Sequence, residues 1–300
     1  EMLAEKNESI SNIAAGRDHT LAVSNQGNLY SWGANTYGQL GVNSRDNRYF
    51  PVQVKGYNGG GYLTDVILIG AGAEHSLAVR TDGSVWSWGR NNKGQLGQST
   101  NGVNNTYKDM QTPDRVLKGE YDTGNADDRY IKNVDALSAG ENFSVVTTRD
   151  RNVYAWGDNT FGQLGGGTTA AKSVTPVAVT GPNGKVMTNV KSVSVTDNSV
   201  LVLTNDGFIY GFGEMFVYNS RKIAQIPNLT GVAQISGMYA RTTGGMVWRI
   251  DESGSPQKVS IKKNNSDVSA VKIVAGRDHL LILDEELNIV HMIKRGKLVR

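Results

Sequence analysis

Three of the four histidines stand at one recurring position. His19, His75 and His279 each follow an Ala-Gly pair by three residues. Imidazoles at equivalent places could hold a divalent ion through nitrogen–metal bonds of ~2.0–2.1 Å. Equivalent positions on neighbouring units of a repeat are too widely spaced for bonds that short. The expectation is therefore scaffold histidines, each bonding its own loop, with no metal and no cofactor. His291 falls in a strand pattern and adds nothing. Asp18-His19-Thr20 and Asp278-His279 bring acid and imidazole together only as chain neighbours, which does not orient the ring of a general base. No G-x-S-x-G nucleophile turn, phosphate loop or metalloprotease helix occurs. The oxygen-rich stretch from Asp122 to Asp128 lacks the ligand order of a calcium loop and reads as solvated loop. Cysteine is absent, which excludes disulfides, thiol catalysis and zinc–thiolate sites.

The elements that carry these residues recur. Residues 14–41 (AAGRDHTLAVSNQGNLYSWGANTYGQLG), 70–97 and 138–165 are copies of one another, and degraded copies follow. The anchors are Gly16, Gly72, Gly140, Thr196, Gly237 and Gly276. Self-similarity at this period marks a repeat architecture. Each copy alternates apolar and polar residues with period two, the mark of strands. Turn pairs such as Asp82-Gly83 and Asp206-Gly207 separate the two central strands. A strand precedes each unit (Ser9–Ala15, Val66–Ala71, Val134–Ala139). A fourth is expected to begin at Pro51, Pro113 and Pro176, on an edge where the missing N–H breaks no ladder. Four antiparallel strands per copy describe a propeller blade. The expected fold is all-β: a β-propeller of six counted blades, seven being possible, forming one domain over residues 1–300. The segment 294–300 is expected to join the blade of residues 9–33 and close the ring.

Jointly, these motifs resemble the regulator-of-chromosome-condensation repeat family. The A-G-x-x-H-[TS]-L-A-[LV] segment, the following turn and the S-W-G-x-N-x-x-G-Q-L-G segment stand intact at 15–41 and 71–97. At 139–165 Phe143 replaces the histidine and Ala155 the serine of the second segment. The resemblance implies a propeller, usually of seven blades. It implies no single activity, since members include a nucleotide-exchange factor, a plant ultraviolet photoreceptor and a secreted β-lactamase inhibitor. The photoreceptor group has tryptophan after the Ala-Gly pair. This chain has Arg17, Ala73, Glu141, Asp197, Met238 and Arg277 there.

Residues constant in the repeat read as scaffold: Gly16, Gly72 and Gly140, and the inter-blade tryptophans Trp32, Trp88 and Trp156. The loops after the Ala-Gly and Trp-Gly pairs vary, and in an up-and-down blade both emerge on one side. That side carries Arg17, Asp18, Tyr37, Glu74, Arg90, Lys93, Glu141, Phe161, Met215, Phe216, Tyr218, Met238, Tyr239 and Arg277. Aromatic, Met and Arg anchors amid polar residues match the core of a protein interface. The chain is thus read as a non-catalytic module that binds a protein partner through this face. Two alternatives are an exchange-type regulator, by analogy of fold, and a propeller enzyme using Glu141, Asp158 and Asp197 near the central channel.

The formal net charge of +3 is mild. The basic tail Lys294, Arg295, Lys297, Arg300 reads as a solvated closing strand, so a protein partner is favoured over nucleic acid. No apolar run is long enough to span a membrane. The Asn/Gly-rich loops without cysteine favour a bacterial, secreted or cell-surface protein.

Overall fold

A computed structural model describes residues 8–98, 108–120, 128–166, 168–215, 223–251, 253–263, 266–276, 279–294 and 297–299. Its described residues form six four-stranded antiparallel sheets and one short hairpin. The first sheet holds β1 (Ile10–Ala15), β2 (His19–Ser24), β3 (Leu29–Gly33) and β4 (Arg48–Gln53). The second holds β5 (Val66–Ala71), β6 (His75–Arg80), β7 (Val85–Gly89) and β8 (Met110–Arg115). The third holds β9 (Val134–Ala139), β10 (Phe143–Thr148), β11 (Val153–Asp158) and β12 (Lys172–Ala178). The fourth holds β13 (Val190–Thr196), β14 (Ser199–Thr204), β15 (Ile209–Gly213) and β16 (Ala224–Gln225). The fifth holds β17 (Val232–Ser236), β18 (Tyr239–Thr242), β19 (Val247–Ile250) and β20 (Pro256–Val259). The hairpin β21 (Lys262–Lys263) and β22 (Ser266–Asp267) precedes the sixth sheet: β23 (Lys272–Ala275), β24 (His279–Leu283), β25 (Ile289–Lys294) and β26 (Lys297–Val299). In every sheet the strands pair in chain order.

Two expectations change. First, Pro51, Pro113 and Pro176 lie inside β4, β8 and β12, not at their starts. In each sheet the pairing register shifts opposite the proline. A residue without an N–H is tolerated where the edge ladder is already interrupted. Pairing resumes directly after each proline and continues just beyond the strand, where Val54, Val116 and Val179 donate to Leu29, Val85 and Val153. Second, the C-terminal strand does not join the first blade. β26 pairs with β25, and the first sheet is already complete with β1. Local antiparallel return is available after Lys294 without closing a loop of nearly the whole chain, and loop closure of that length carries an entropic cost.

Alternation places one face of each sheet against its neighbour. Five buried apolar clusters fill the five successive interfaces. Between the first two blades Leu21, Val23, Leu29 and Val54 meet Ile69, Ala78 and Trp88. The innermost strands pack in order, β1 on β5, β5 on β9, β9 on β13, β13 on β17 and β17 on β23. No contact of that extent joins β23 to β1 among the described residues. A central depression of about 540 Å³ is lined by the Ala-Gly regions of the blades, from Ala15 to His279.

Candidate functional site

The blade scaffold ends in two loops that are tied together. Asp18, Glu74, Asn142 and Asn198 each accept, through the backbone carbonyl, the N–H of Ala34, Arg90, Asp158 and Glu214 respectively. The loop after the Ala-Gly pair and the loop after the Trp-Gly pair therefore share one end of each of the first four blades. Asn35, Asn91 and Asn159 organise the second loop. Each side-chain oxygen accepts from Leu40, Leu96 or Leu164 at 3.0–3.1 Å. The amides of Asn35 and Asn159 donate to carbonyls farther along, Ser44 and Asp46 in one case, Thr168 and Ala170 in the other. Gln39, Gln95 and Gln163 accept from the N–H of Tyr37, Lys93 and Phe161. These pins fix the stems, so the residue presented at the tip can vary.

Neighbouring loops are linked around the depression by their backbones. The N–H of Arg17 donates to Ala73 O, that of Ala73 to Glu141 O, and that of Glu141 to Asp197 O. The glycine before each makes the close approach possible. A Cβ on Gly16 would lie 2.5 Å from Gly72 O, and one on Gly72 would lie 2.6 Å from Gly140 O.

Below this belt lies a polar lock between blades. His19 Nε2 stands 2.9 Å from Ser76 Oγ, and Ser76 donates to Gln39 O at 2.7 Å. Trp88 donates to the same carbonyl at 2.9 Å. Ser144, Trp156 and Gln95 O repeat the arrangement around His75. The histidines thus bond the next blade and not their own loop. Because each serine hydrogen is committed to glutamine, the ring must donate from Nε2. Nδ1 is then a bare acceptor, buried and unpartnered, against Gly16 or Gly72. Burial lowers the His19 pKa to about 4, and burial with the charge of His19 lowers that of His75 to about 3. Neither ring is offered to a metal, and no cluster of His, Asp and Glu suited to one occurs among the described residues. At the third interface the lock is apolar: Phe143, Val200 and Phe212 take the places of histidine, serine and tryptophan and share one core.

On the surface, residues from four blades form a continuous chain of contacts. The Arg90 guanidinium lies 4.5 Å from the Tyr37 ring centre and pairs with Glu74. Burial alone would lower the Arg90 pKa, but the bond and charge of Glu74 outweigh it and raise it. Arg17 reaches from the first blade past Glu74 (3.5 Å) to Glu141 of the third (2.6 Å). Asn198 then donates to Glu141 at 3.4 Å and to Glu214 at 3.1 Å. Beside this chain Lys93 pairs with Asp158 at 3.5 Å, and Arg45 with Asp109 at 3.7 Å.

Of the residues expected on this face, Arg17, Tyr37, Glu74, Arg90 and Glu141 are brought together, and Lys93 lies alongside through Asp158. Asp18 is exposed and Phe161 half-buried. Met238 is a correction. It is 8% exposed and belongs to the core with Leu201 and Ile250, because the short Gly237-Met238 hairpin turns it inward. Met215 and Tyr239 are partly buried against the cores on either side of the fifth blade. Phe216, Tyr218 and Arg277, and most of the stretch 122–128, lie outside the described residues. Asn198, Glu214 and Asp109 were not singled out in the sequence. Their only signal was their repeat position: Asn198 and Glu214 stand one blade along from Glu141 and Asp158, and Asp109 one blade along from Arg45.

The repeat model described as the regulator of chromosome condensation (RCC1) repeat matches residues 26–79, 82–147 and 150–203. The chain belongs to the RCC1 repeat family. A second model of the same repeat matches 10–39, 66–95 and 134–163. Among curated relatives, the E3 ubiquitin-protein ligase HERC2 of Mus musculus is 30% identical over 203 residues, 67% of this chain and 4% of that protein. The chain therefore spans a small fraction of that relative. Human WBSCR16 superposes with a TM-score of 0.74 at 19% identity, covering 98% of this chain and 82% of that one. Prp20p of Saccharomyces cerevisiae superposes with a TM-score of 0.67 at 18% identity, covering 91% and 68%. The fold is thus an RCC1-type β-propeller. Among the described residues no helix is long and apolar enough to cross a membrane.

Proposed function

We propose that this RCC1-repeat propeller is a non-catalytic interaction module that binds a protein partner across its loop face. The observation that carries the reading is the surface chain Tyr37–Arg90–Glu74–Arg17–Glu141–Asn198–Glu214. It joins loops of four blades into one preorganised polar surface with an aromatic at its end. Preordered side chains lose little entropy on association, and Arg and Tyr are the residue types that anchor interfaces. The named neighbours point the same way: the Prp20p structure is described with its binding to Gsp1p and histones, and another is bound to Kap60. The enzyme alternative has less support. Glu141 is engaged by Arg17 and Asn198, and Asp158 by Lys93 and Thr160, so neither stands poised as a general acid or base.

The test is affinity capture with the intact chain and with Arg17→Ala, Arg90→Ala and Phe161→Ala combined. Loss of the captured protein with an unchanged circular dichroism spectrum is expected. Capture that survives the triple change rules out this face. An exchange-type regulator would instead accelerate nucleotide release from a nucleotide-binding partner, which a release assay on the same samples reads.

A further inference from the structure

The end of the propeller away from the loop face carries a pair of arginines that the blade scaffold does not require. Arg115 closes β8, and Arg129 and Tyr130 precede β9. The backbone holds them side by side: Leu117 bridges to Tyr130, and the N–H of Lys118 donates to Arg129 O at 3.0 Å. Both guanidinium groups stand over one ring, Arg115 at 4.3 Å and Arg129 at 5.9 Å from the Tyr130 centre. The bridges Lys55–Tyr62 and Thr180–Val186 mark the same place in the first and third blades. There the two positions hold Gln53 and Gly61 in one case, Ala178 and Lys185 in the other. A blade therefore folds without either arginine, and only the second blade of these three has both.

Neither cation is neutralised by the protein. Among the described residues neither has an ion pair, and Arg115 Nε is buried without a hydrogen-bond partner. The nearby acids are committed elsewhere. Asp65 pairs with Arg80 and Asp128 with Lys132, while Asp82 accepts from Ser84 and Asp114 from the backbone N–H of Arg115. Stacking on the ring orients a guanidinium but does not satisfy its N–H groups. A buried donor without an acceptor is costly, and two like charges at one focus repel. An anion with several acceptor oxygens removes both costs at once.

We propose that Arg115 and Arg129 form a binding site for a phosphomonoester, a phosphoryl group that carries two negative charges. Two guanidinium forks match its oxygens and its charge, whereas a carboxylate has one charge and two oxygens to share between them. A nucleic-acid backbone fits less well. It brings a row of single charges, and beyond the arginines that row would meet Asp82, Asp114 and Asp128, which lie around the pair. A single localised dianion meets the two arginines alone.

Titration calorimetry on the intact chain tests this with inorganic phosphate, O-phosphoserine and a short peptide phosphorylated on serine, the unphosphorylated peptide being the blank. Saturable binding of the phosphorylated probes at a single site is expected. Equal affinity for the three assigns the site to free phosphate and small esters, and tighter binding of the peptide assigns it to a phosphorylated protein segment. Arg115→Gln installs the residue type of Gln53 in the first blade, and Arg129→Gln changes an exposed side chain. Each should weaken binding about tenfold or more, since each removes a charged fork. Arg129→Gln decides the matter if Arg115→Gln fails to fold. Arg149→Gln, at an exposed arginine of the third blade, should change nothing. Binding should also fall below about pH 6, where a phosphomonoester takes up its second proton. Failure of every phosphorylated probe to bind at millimolar concentration overturns the proposal, water then being the acceptor of Arg115 Nε. So does binding that survives Arg115→Gln and Arg129→Gln together, equal binding of the unphosphorylated peptide, or tighter binding of a DNA duplex that the two changes abolish.

Discussion

His75 Nε2 stands 3.0 Å from Ser144 Oγ across the boundary of the second and third blades, and the serine hydrogen goes on to Gln95 O. Removing the hydroxyl leaves a buried ring N–H without an acceptor. Ser144→Ala should therefore destabilise by about 1–3 kcal/mol, the cost of stranding a buried donor. Chemical denaturation against the parent chain measures it.

The third interface gives that lock an apolar counterpart in Phe143, Val200 and Phe212. Changing His75, Ser144 and Trp156 to Phe, Val and Phe together should cost less than the sum of the three single changes. Groups that share one network are non-additive by about 0.5–3 kcal/mol. A strictly additive triple variant would mean that the three residues act separately.

Acid should loosen the same interfaces. The folded pKa values of about 4 for His19 and about 3 for His75 lie below the unfolded value of 6.5. Between these limits the unfolded chain binds more protons, so stability falls as pH falls. The histidine contribution is fully present above about pH 6.5. It declines by roughly 1.4 kcal/mol per pH unit for each histidine until its folded pKa is reached. Urea midpoints from pH 7 to pH 4 should show this slope, and His75→Phe should shallow it.

Glycine substitutions should separate close approach from mere flexibility. At Gly72 a Cβ would stand 2.1 Å from the His75 ring and 2.6 Å from Gly140 O. Gly72→Ala should lower the melting temperature sharply, since relief requires moving a whole blade. At Gly244 a Cβ meets nothing within 4 Å. Gly244→Ala should be neutral or stabilising by about 0.4–1 kcal/mol, through the unfolded chain. Equal effects at the two sites would refute the packing argument.

Metal ions should leave thermal stability alone. A specific ligand of the native state raises apparent stability by mass action. Zn²⁺, Ni²⁺ or Ca²⁺ in excess, or a chelator, should give superimposable melting curves. A saturable rise lost in His75→Ala would return the histidines to the list of ligands.

The strands were legible because alternation and turn pairs such as Asp82-Gly83 are local signals. Trp88, Trp156 and the paired loops were legible because repetition marks them; Trp32, expected between blades with them, is only half-buried and joins none of the five inter-blade clusters. Relations between copies were not. Nothing near His19 says that its acceptor is Ser76 in the next blade, and nothing near Arg17 says that it reaches Glu141, which is 124 residues away. The place of the C-terminal strand was misread because both an exchange with the first blade and a local hairpin satisfy edge pairing. Chain entropy, which a pattern does not display, favours the hairpin. Met238 was misplaced because a hairpin shortened by one loop residue turns alternate side chains to the opposite side.

The belt running from Arg17 to Ala73, Glu141 and Asp197 is made by peptide groups alone. Its strength is indifferent to whether the side chain above it is a cation, a methyl group or a carboxylate. Mutation can thus rewrite the surface around the depression, residue by residue, without touching the bonds that hold neighbouring blades in register. A scaffold built this way separates the inheritance of shape from the inheritance of recognition, and a new partner can be acquired without first risking the fold.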